Sequence, residues 1–376
     1  MENNKRIGIL TSGGDCSGLN AVIESVVRTA SINGYEVYGF KYGYDGLYAN
    51  DYVFLNDVNV SNISCIGGSI IGNSNKTNLF AYRSVDQEGN VHCLDVSDIA
   101  IENLKKDGIS ALIVVGGDGS MTSARDFMRK GINVVCVPKT VDNDVPYTDR
   151  SFGYSTAVFH IEKALSALRT TGESHNRVMV LEVMGRHAGW LALEGGIAGN
   201  ADIILLPEIK YNLNHIVDFL KDRFDKGHKS SIICVSEGAE EEGGSVIGTI
   251  DKRYPDSVKL GGIGAVITKR IEEKLLPMTG QEVRNTNLGY IQRGGETNAI
   301  DRVLGFEYGS FAVEAVVKGQ FGNMVSIRGD KLLLMPITDI VGDGPTGETS
   351  HGGSNVVKKD NILMQTARSL GIYLGE

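Results

Sequence analysis

The sequence predicts an α/β fold built as two doubly wound, mostly parallel-sheet lobes, with the active site in the cleft between them. Three observations predict it. Short apolar runs of strand length alternate with stretches whose apolar residues recur at helical spacing. That alternation runs twice, roughly over 6–140 and again over 177–270. Several apolar runs end in glycine turns or at a proline, at the strand ends where open parallel sheets keep their ligands. At 376 residues the chain has length for about two domains, and no Pro- or Ser-rich stretch marks a linker.

Residues 6–12, RIGILTS, form a buried-strand pattern followed by Gly13-Gly14-Asp15. Leu19, Val22, Ile23, Val26, Val27 and Ala30 then recur at helical spacing, and Asn33-Gly34 stops that helix. A strand over 35–41 completes a βαβ unit. Residues 42–95 are less regular; Gly43-Tyr44-Asp45-Gly46 and 65–76 read as loops over a site. Helices over 97–106 and 120–129 precede strands over 110–115 and 132–137 in alternation. A helix over 155–168 comes next, then strands over 177–183 and 202–206 with a helix over 187–197 between them. A helix over 212–225 and a strand over 231–236 continue the pattern. Residues 239–261 are acidic and glycine-rich, hence a surface excursion. Helices over 263–275 and 303–317 bracket a polar extended run over 283–292, and 341–354 reads as loop.

Composition narrows the function classes. A net charge of −9 argues against a basic nucleic-acid footprint, but leaves room for local Arg and Lys clusters that hold a small phosphorylated ligand. Glycine supplies 48 residues, roughly twice the usual ~7%, in short GG units that allow close backbone–anion contacts. Cys16, Cys65, Cys93, Cys136 and Cys234 are scattered, without a CxxC, and read as reduced thiols of a cytoplasmic protein. No apolar run reaches the ~18 residues of a membrane span, and polar residues 1–6 lack the apolar core of a signal peptide.

The densest chemistry lies in Pro138-Lys139-Thr140-Val141-Asp142-Asn143-Asp144. Proline stops a strand, and carboxylates follow at i and i+2, on one face of extended backbone. Loop aspartates commonly cap turns, yet this stretch is denser than capping needs. One carboxylate can accept a hydroxyl proton while another supports a metal, and Lys139 adds a compact charge suited to phosphate. Gly13-Gly14-Asp15-Cys16-Ser17-Gly18 and Gly116-Gly117-Asp118-Gly119-Ser120 are strand-to-helix turns that fit neither a Walker A loop nor GxGxxG. Two such turns fit a polyphosphate lying across one crevice, with Asp118 placed to hold Mg²⁺. Arg177 and Arg186 flank one expected strand and Arg284 and Arg293 flank the run 285–292, a pattern closer to a phosphate clamp than to four surface residues. Glu208, after Leu206-Pro207, can accept from sugar hydroxyls or lie on the surface. Trp190 reads as packing, and Tyr44 is kept as a candidate because it stands in a glycine turn.

Taken together, LTSGGDCSGLNA, GGDGS, PKTVDND, FGYSTA, SHNRVMVLEVMGRHAGWLAL, Pro207-Glu208 and RNTNLGYIQRGG resemble the 6-phosphofructokinase family through nearly the whole chain. The resemblance implies phosphoryl transfer to the 1-hydroxyl of fructose 6-phosphate. It implies Asp142 as general base beside Thr140 and Asp144, and Asp118 as the Mg²⁺ carboxylate. Gly13, Gly14, Gly117, Gly119, Ser120 and Lys139 would form the phosphate-donor site, with Tyr44 and Lys76 nearby. Met184, Gly185 and Arg186 would hold the sugar and the transferring group, and Glu208 a sugar hydroxyl. Arg177 and Arg284 match arginines that reach the 6-phosphate across a subunit interface, and Arg293 one that reaches it from within. Tyr290 stands where many members carry histidine. Residues 1–153 with about 293–342 would form the larger, ATP-binding lobe, and 154–292 with about 343–376 the smaller, fructose 6-phosphate lobe. A homo-oligomer follows, at least a dimer and usually a tetramer.

Members use ATP or pyrophosphate, and the resemblance places the choice at two positions. Gly119 matches ATP users, whereas Lys139 matches pyrophosphate users; glycine at 119 leaves room for an α-phosphate, so ATP is favoured. Effectors of bacterial relatives bind near Arg28, Arg169 and Asp202. Glu24 replaces an arginine usual there and opposes a phosphate-bearing effector. A lipid- or NAD-kinase reading shares GGDG but leaves PKTVDND and the arginines unexplained. A catalytically inactive sugar-phosphate sensor is expected to lack Asp142 or Asp118, and both are present.

Overall fold

In the computed structural model, residues 5–85, 91–250, 258–346 and 353–376 are described. Their backbone contacts fall into two units. One comprises Met1–Val141, Val145–Ser155 and Arg293–Ser354; the other comprises Asp142–Asp144, Thr156–Gln292 and Asn355–Glu376.

The first unit is built on a seven-stranded sheet ordered Lys331–Pro336, Asn323–Arg328, Val134–Pro138, Ile109–Gly116, Lys5–Thr11, Tyr35–Phe40 and Tyr52–Leu55. The five inner strands pair in parallel, and the two outermost pair antiparallel to their neighbours. The central strands are buried from Ala111 to Gly116 and from Val134 to Pro138 because helices cover both faces. Leu10, Leu112, Val114, Val134 and Cys136 pack on one face against Tyr44, Ala100, Leu104, Met121 and Phe127. Their alternating neighbours Ile9, Ile113, Val135 and Val137 are equally buried and point to the other face. There the helices Leu19–Ile32 and Ala299–Val317 lie side by side. This is the mixed α/β fold with a large, mostly parallel sheet that the alternation implies.

Residues 42–95 hold more than loops: a helix Tyr44–Ala49, the edge strand Tyr52–Leu55 and a hairpin Tyr82–Val85 with Val91–Leu94. The helix after the second glycine turn begins at Asp118 rather than Ser120. Gly117 is its N-cap and carries no side chain to cap it, while Asp118 adds negative charge to the first turn, where the helix dipole favours it.

The second unit contains a four-stranded, wholly parallel sheet ordered Val283–Asn287, Val178–Val183, Ser231–Ser236 and Ile203–Leu205. Val178, Val180, Ile203 and Ile233 face the helices Leu213–Asp225 and Ile263–Thr279. On the opposite face the helix Trp190–Ala198 packs through glycine: a Cβ at Gly195 would lie 2.6 Å from Ile161 Cγ2. The helix Tyr154–His175 runs through Gly172, past the expected stop at 168, because that glycine faces Met179. The expected excursion 239–261 includes an antiparallel pair, Gly248–Ile250 with Val258–Leu260, while 251–257 lie outside the described residues.

Candidate active site

Three neighbouring parallel strands of the first unit, ending at Thr11, Gly116 and Pro138, deliver three loops to one end of the sheet. Main-chain bonds tie the loops together: Ser12 N–H to Val115 O at 2.9 Å and Lys139 N–H to Gly116 O at 3.0 Å. The Lys139 ammonium donates to the carbonyl of Gly14. Gly13 has φ +83°, in the left-handed region that glycine enters without strain, and its N–H donates to Ser74 O at 2.9 Å. A side chain at Gly14 would overlap the Arg293 guanidinium, which donates to Asp15 O at 3.3 Å. Arg293, expected on the sugar phosphate, therefore rests on the donor loop here.

Asp118, Gly119 and Ser120 open the helix Asp118–Arg129, so their backbone N–H groups are the ones a helix cannot satisfy internally. Gly119 is exposed, and a Cβ built on it meets nothing within 4 Å. Tyr44, expected near the donor loops, lies beneath the second of them. It is 2% exposed, stacks on Phe127 at 5.9 Å between centroids, and donates its hydroxyl to Ser120 O at 2.7 Å. Burial pushes its phenol well above the ordinary 10.0, so Tyr44 supports the first helical turn as a neutral donor from beneath. Lys76 is exposed on the loop that ends beside Ser74.

Beyond Pro138, Lys139, Thr140, Asp142 and Asn143 are all buried. Thr140 O accepts from Ser151 Oγ at 2.7 Å. Asn143 takes φ +55°, which turns the chain out of extended geometry directly after Asp142. In the second unit, Asn355 donates its backbone N–H to Asp144 O at 2.8 Å and its side-chain amide to Asn143 O at 3.0 Å.

Met184, Gly185 and Arg186 follow the strand Val178–Val183 in a strained turn, with φ +136° at Gly185 and +49° at Arg186. A Cβ at Gly185 would lie 2.6 Å from Ala188 O, which requires glycine. Met184 N–H donates to the wholly buried Gln292 at 3.2 Å, and Arg186 N–H to Glu237 at 3.2 Å. Glu208 Oε1 accepts from Gly189 N–H at 2.9 Å and Val357 N–H at 2.8 Å. Its Oε2 is buried without a hydrogen-bond partner among the described residues. Sequence reasoning missed Gln292 and Asn355; each acts through main-chain bonds to residues far away in the chain.

The arginines divide. Arg186 follows the strand Val178–Val183, whereas Arg177 precedes it and Arg284 lies near the matching start of Val283–Asn287. Arg177 and Arg284 converge on Glu282 at 2.7 and 2.9 Å, and the Arg177 hydrogen bond draws that carboxyl below its ordinary range. A six-residue strand, on the order of 20 Å, separates these two from Met184. Tyr290 is 78% exposed. Glu24 is buried, pairs with Arg28 at 3.3 Å and accepts from Ser64 N–H at 3.1 Å. Asp202 pairs with Arg223 at 2.8 Å and with Arg169 at 3.7 Å. Among the described residues no helix is long and apolar enough to cross a membrane.

A family model described as Phosphofructokinase matches residues 6–316. The chain is 49% identical over 378 residues to ATP-dependent 6-phosphofructokinase 2 of Clostridium perfringens, with 100% of each chain covered. It is 43% identical over 336 residues to a pyrophosphate–fructose 6-phosphate 1-phosphotransferase of Amycolatopsis methanolica, covering 89% of this chain and 94% of that one. Among solved structures it is similar to phosphofructokinase from Saccharomyces cerevisiae, at TM-score 0.75 and 27% identity over 90% of this chain and 45% of that one.

Proposed function

The chain belongs to the phosphofructokinase family, and from that membership we propose that it is an ATP-dependent 6-phosphofructokinase. It transfers the γ-phosphoryl group of MgATP to the 1-hydroxyl of fructose 6-phosphate, giving fructose 1,6-bisphosphate and ADP. The observation that carries this reading is the set of three loops at adjacent strand ends, with an uncapped helix N-terminus at Asp118–Ser120 and open space at Gly119.

Phosphoryl transfer asks for positioning and charge neutralisation more than covalent chemistry. Backbone N–H groups at Gly119 and Ser120 receive phosphate oxygens. A single carboxylate at a strand end suits magnesium, which takes one or two carboxylates together with phosphate oxygens. Asp118 would hold that ion, which supplies neutralisation of the donor's phosphate charge. Asp142 accepts the proton of the 1-hydroxyl, supported by Thr140 and Asp144 on the same loop. Met184, Gly185 and Arg186 hold the sugar. The partnerless Oε2 of Glu208 takes a sugar hydroxyl, which satisfies a buried acceptor. Arg177 and Arg284 lie too far along their strands to share a ligand with Met184 of the same chain. This supports a homo-oligomer, at least a dimer and by family habit a tetramer, in which they serve a neighbour's sugar phosphate. The five cysteines, read as reduced thiols, support a cytoplasmic enzyme.

The competing donor is pyrophosphate, favoured by Lys139 and by the likeness to the Amycolatopsis protein. Yet Lys139 donates to the Gly14 carbonyl, a tether that either donor tolerates. Assay of the purified protein with fructose 6-phosphate and either MgATP or pyrophosphate decides between them. Turnover with MgATP is expected; turnover with pyrophosphate alone overturns the donor assignment. With Glu24 bound to Arg28 and Ser64, rates are expected to stay flat across millimolar phosphoenolpyruvate.

A further inference from the structure

We propose that Asn355 is a positioning residue for the phosphoryl-transfer step, holding the loop that carries Asp142 through two consecutive carbonyls. The inference rests on the functional reading above. Leaving its strand, the chain passes Asp142 and turns at Asn143 with φ +55°, so residues 143 and 144 lie outside the strand Val134–Pro138. Asn355 supplies both bonds, at 3.0 Å from its side-chain amide to Asn143 O and at 2.8 Å from its backbone N–H to Asp144 O. Its own carbonyl accepts the indole N–H of Trp190 at 2.6 Å. That anchor lies at the first residue of the helix that follows the Met184–Arg186 turn.

Two residues on, the backbone N–H of buried Val357 donates to Glu208 Oε1 at 2.8 Å. The bond orients the other oxygen of that carboxylate, the one without a partner among the described residues. One short strap, 355–357, thus fixes both the loop of the base and the carboxylate assigned to the sugar. It reaches the base loop across 212 positions of sequence and Glu208 across 149. Backbone carbonyls at a left-handed turn can be satisfied by water or by any donor. A side-chain amide spent on the residue beside the base, anchored in turn by an indole, restricts the loop to one arrangement. A displacement of about 1 Å in a reacting group costs on the order of 10²-fold in rate, so a modest loosening has a large kinetic effect.

The test uses the full chain with Asn355→Ala and Asn355→Asp, which removes the amide donor without changing the side chain's shape. Both are expected to lower kcat roughly 10- to 100-fold while the KM for fructose 6-phosphate and for the donor changes less than about threefold. Trp190→Phe, which removes only the N–H that anchors Asn355, should give a smaller loss of the same kind. The decisive measurement is a cycle with Asp142→Asn. Once the base is gone, misplacing its loop has little left to affect, so Asn355→Ala should lower the residual kcat no further. Full additivity in that cycle overturns the proposal, as does wild-type kcat in Asn355→Ala. If neither Asn355 variant folds, Trp190→Phe carries the test alone: a folded variant with wild-type kcat overturns it. Absence of sugar kinase activity in the unmodified protein would instead reject the functional reading itself.

Discussion

Asp142 is the side chain on which turnover should depend most directly. Asp142→Asn is expected to lower kcat by roughly 10²–10⁴-fold, the usual worth of a general base, with fructose 6-phosphate affinity nearly intact. Steady-state kinetics with a direct binding measurement checks it, and comparable turnover would remove Asp142 from the role. Gly119 makes the complementary prediction for the donor. Nothing lies within 4 Å of a Cβ there, so Gly119→Asp should fold normally. Its carboxylate would repel nucleotide phosphate, so the KM for ATP should rise at least about tenfold, by roughly 1.4 kcal/mol or more. An unchanged KM would show that the α-phosphate does not approach this position. Asp118, Gly119 and Asp142 stand out in sequence because glycine turns and paired carboxylates are local patterns. Tyr44 is only half legible for the same reason: its glycine turn is visible, but the Phe127 ring that stacks on it lies 83 positions on (127 − 44). Gln292 and Asn355 carry no local mark, since their meaning lies in which distant backbone group each one meets.

At the scale of elements, the buried parallel strands are legible because both faces are covered and their residues are mostly apolar. The edges are not. Tyr52–Leu55 is four residues long, and its partner strand gives it one covered edge only. The hairpin Asn323–Arg328 with Lys331–Pro336 has one local mark in the sequence, Gly329-Asp330 between two strand-length runs. Helices run past their expected stops where glycine serves packing instead of termination, as at Gly172 beside Met179. The same physics yields a stability prediction for Gly195. Alanine there gains up to about 1 kcal/mol of helix propensity, but its methyl would sit 2.6 Å from Ile161 Cγ2. Overpacking of this kind costs about 1–3 kcal/mol, so Gly195→Ala should lower the urea midpoint, and Ile161→Val should restore part of it. A midpoint above wild type would mean that the two helices separate freely.

Across the whole molecule, buried thiols tie stability to alkaline pH. Burial pushes Cys16 and Cys234 up to about 12 from an ordinary 9.0, and raises Cys136 as well. Each folded thiol stays neutral while its unfolded counterpart ionises. Their contribution is therefore full below pH 9 and is lost as pH climbs from there toward about 12. Urea midpoints should fall between pH 8.5 and pH 10.5 (values chosen about the ordinary thiol range), and Cys234→Ala should shrink that fall. Thiol reagents near pH 8 should reach half-exposed Cys65 and exposed Cys93 first, with the other three following only on unfolding. A second whole-molecule consequence concerns the order in which the chain is made. The strand Val134–Pro138, which leads into the base loop, has Ile109–Gly116 on one side and Asn323–Arg328 on the other. Between residues 138 and 323 lie about 185 positions, which at ~5–20 residues per second a ribosome adds in roughly 10–40 s. Throughout that interval the strand offers Val134-Val135-Cys136-Val137 as an open edge to other nascent chains. Polypeptides stalled before residue 323 should therefore aggregate or occupy chaperones, making translation of about the last seventh of the message the step that determines yield.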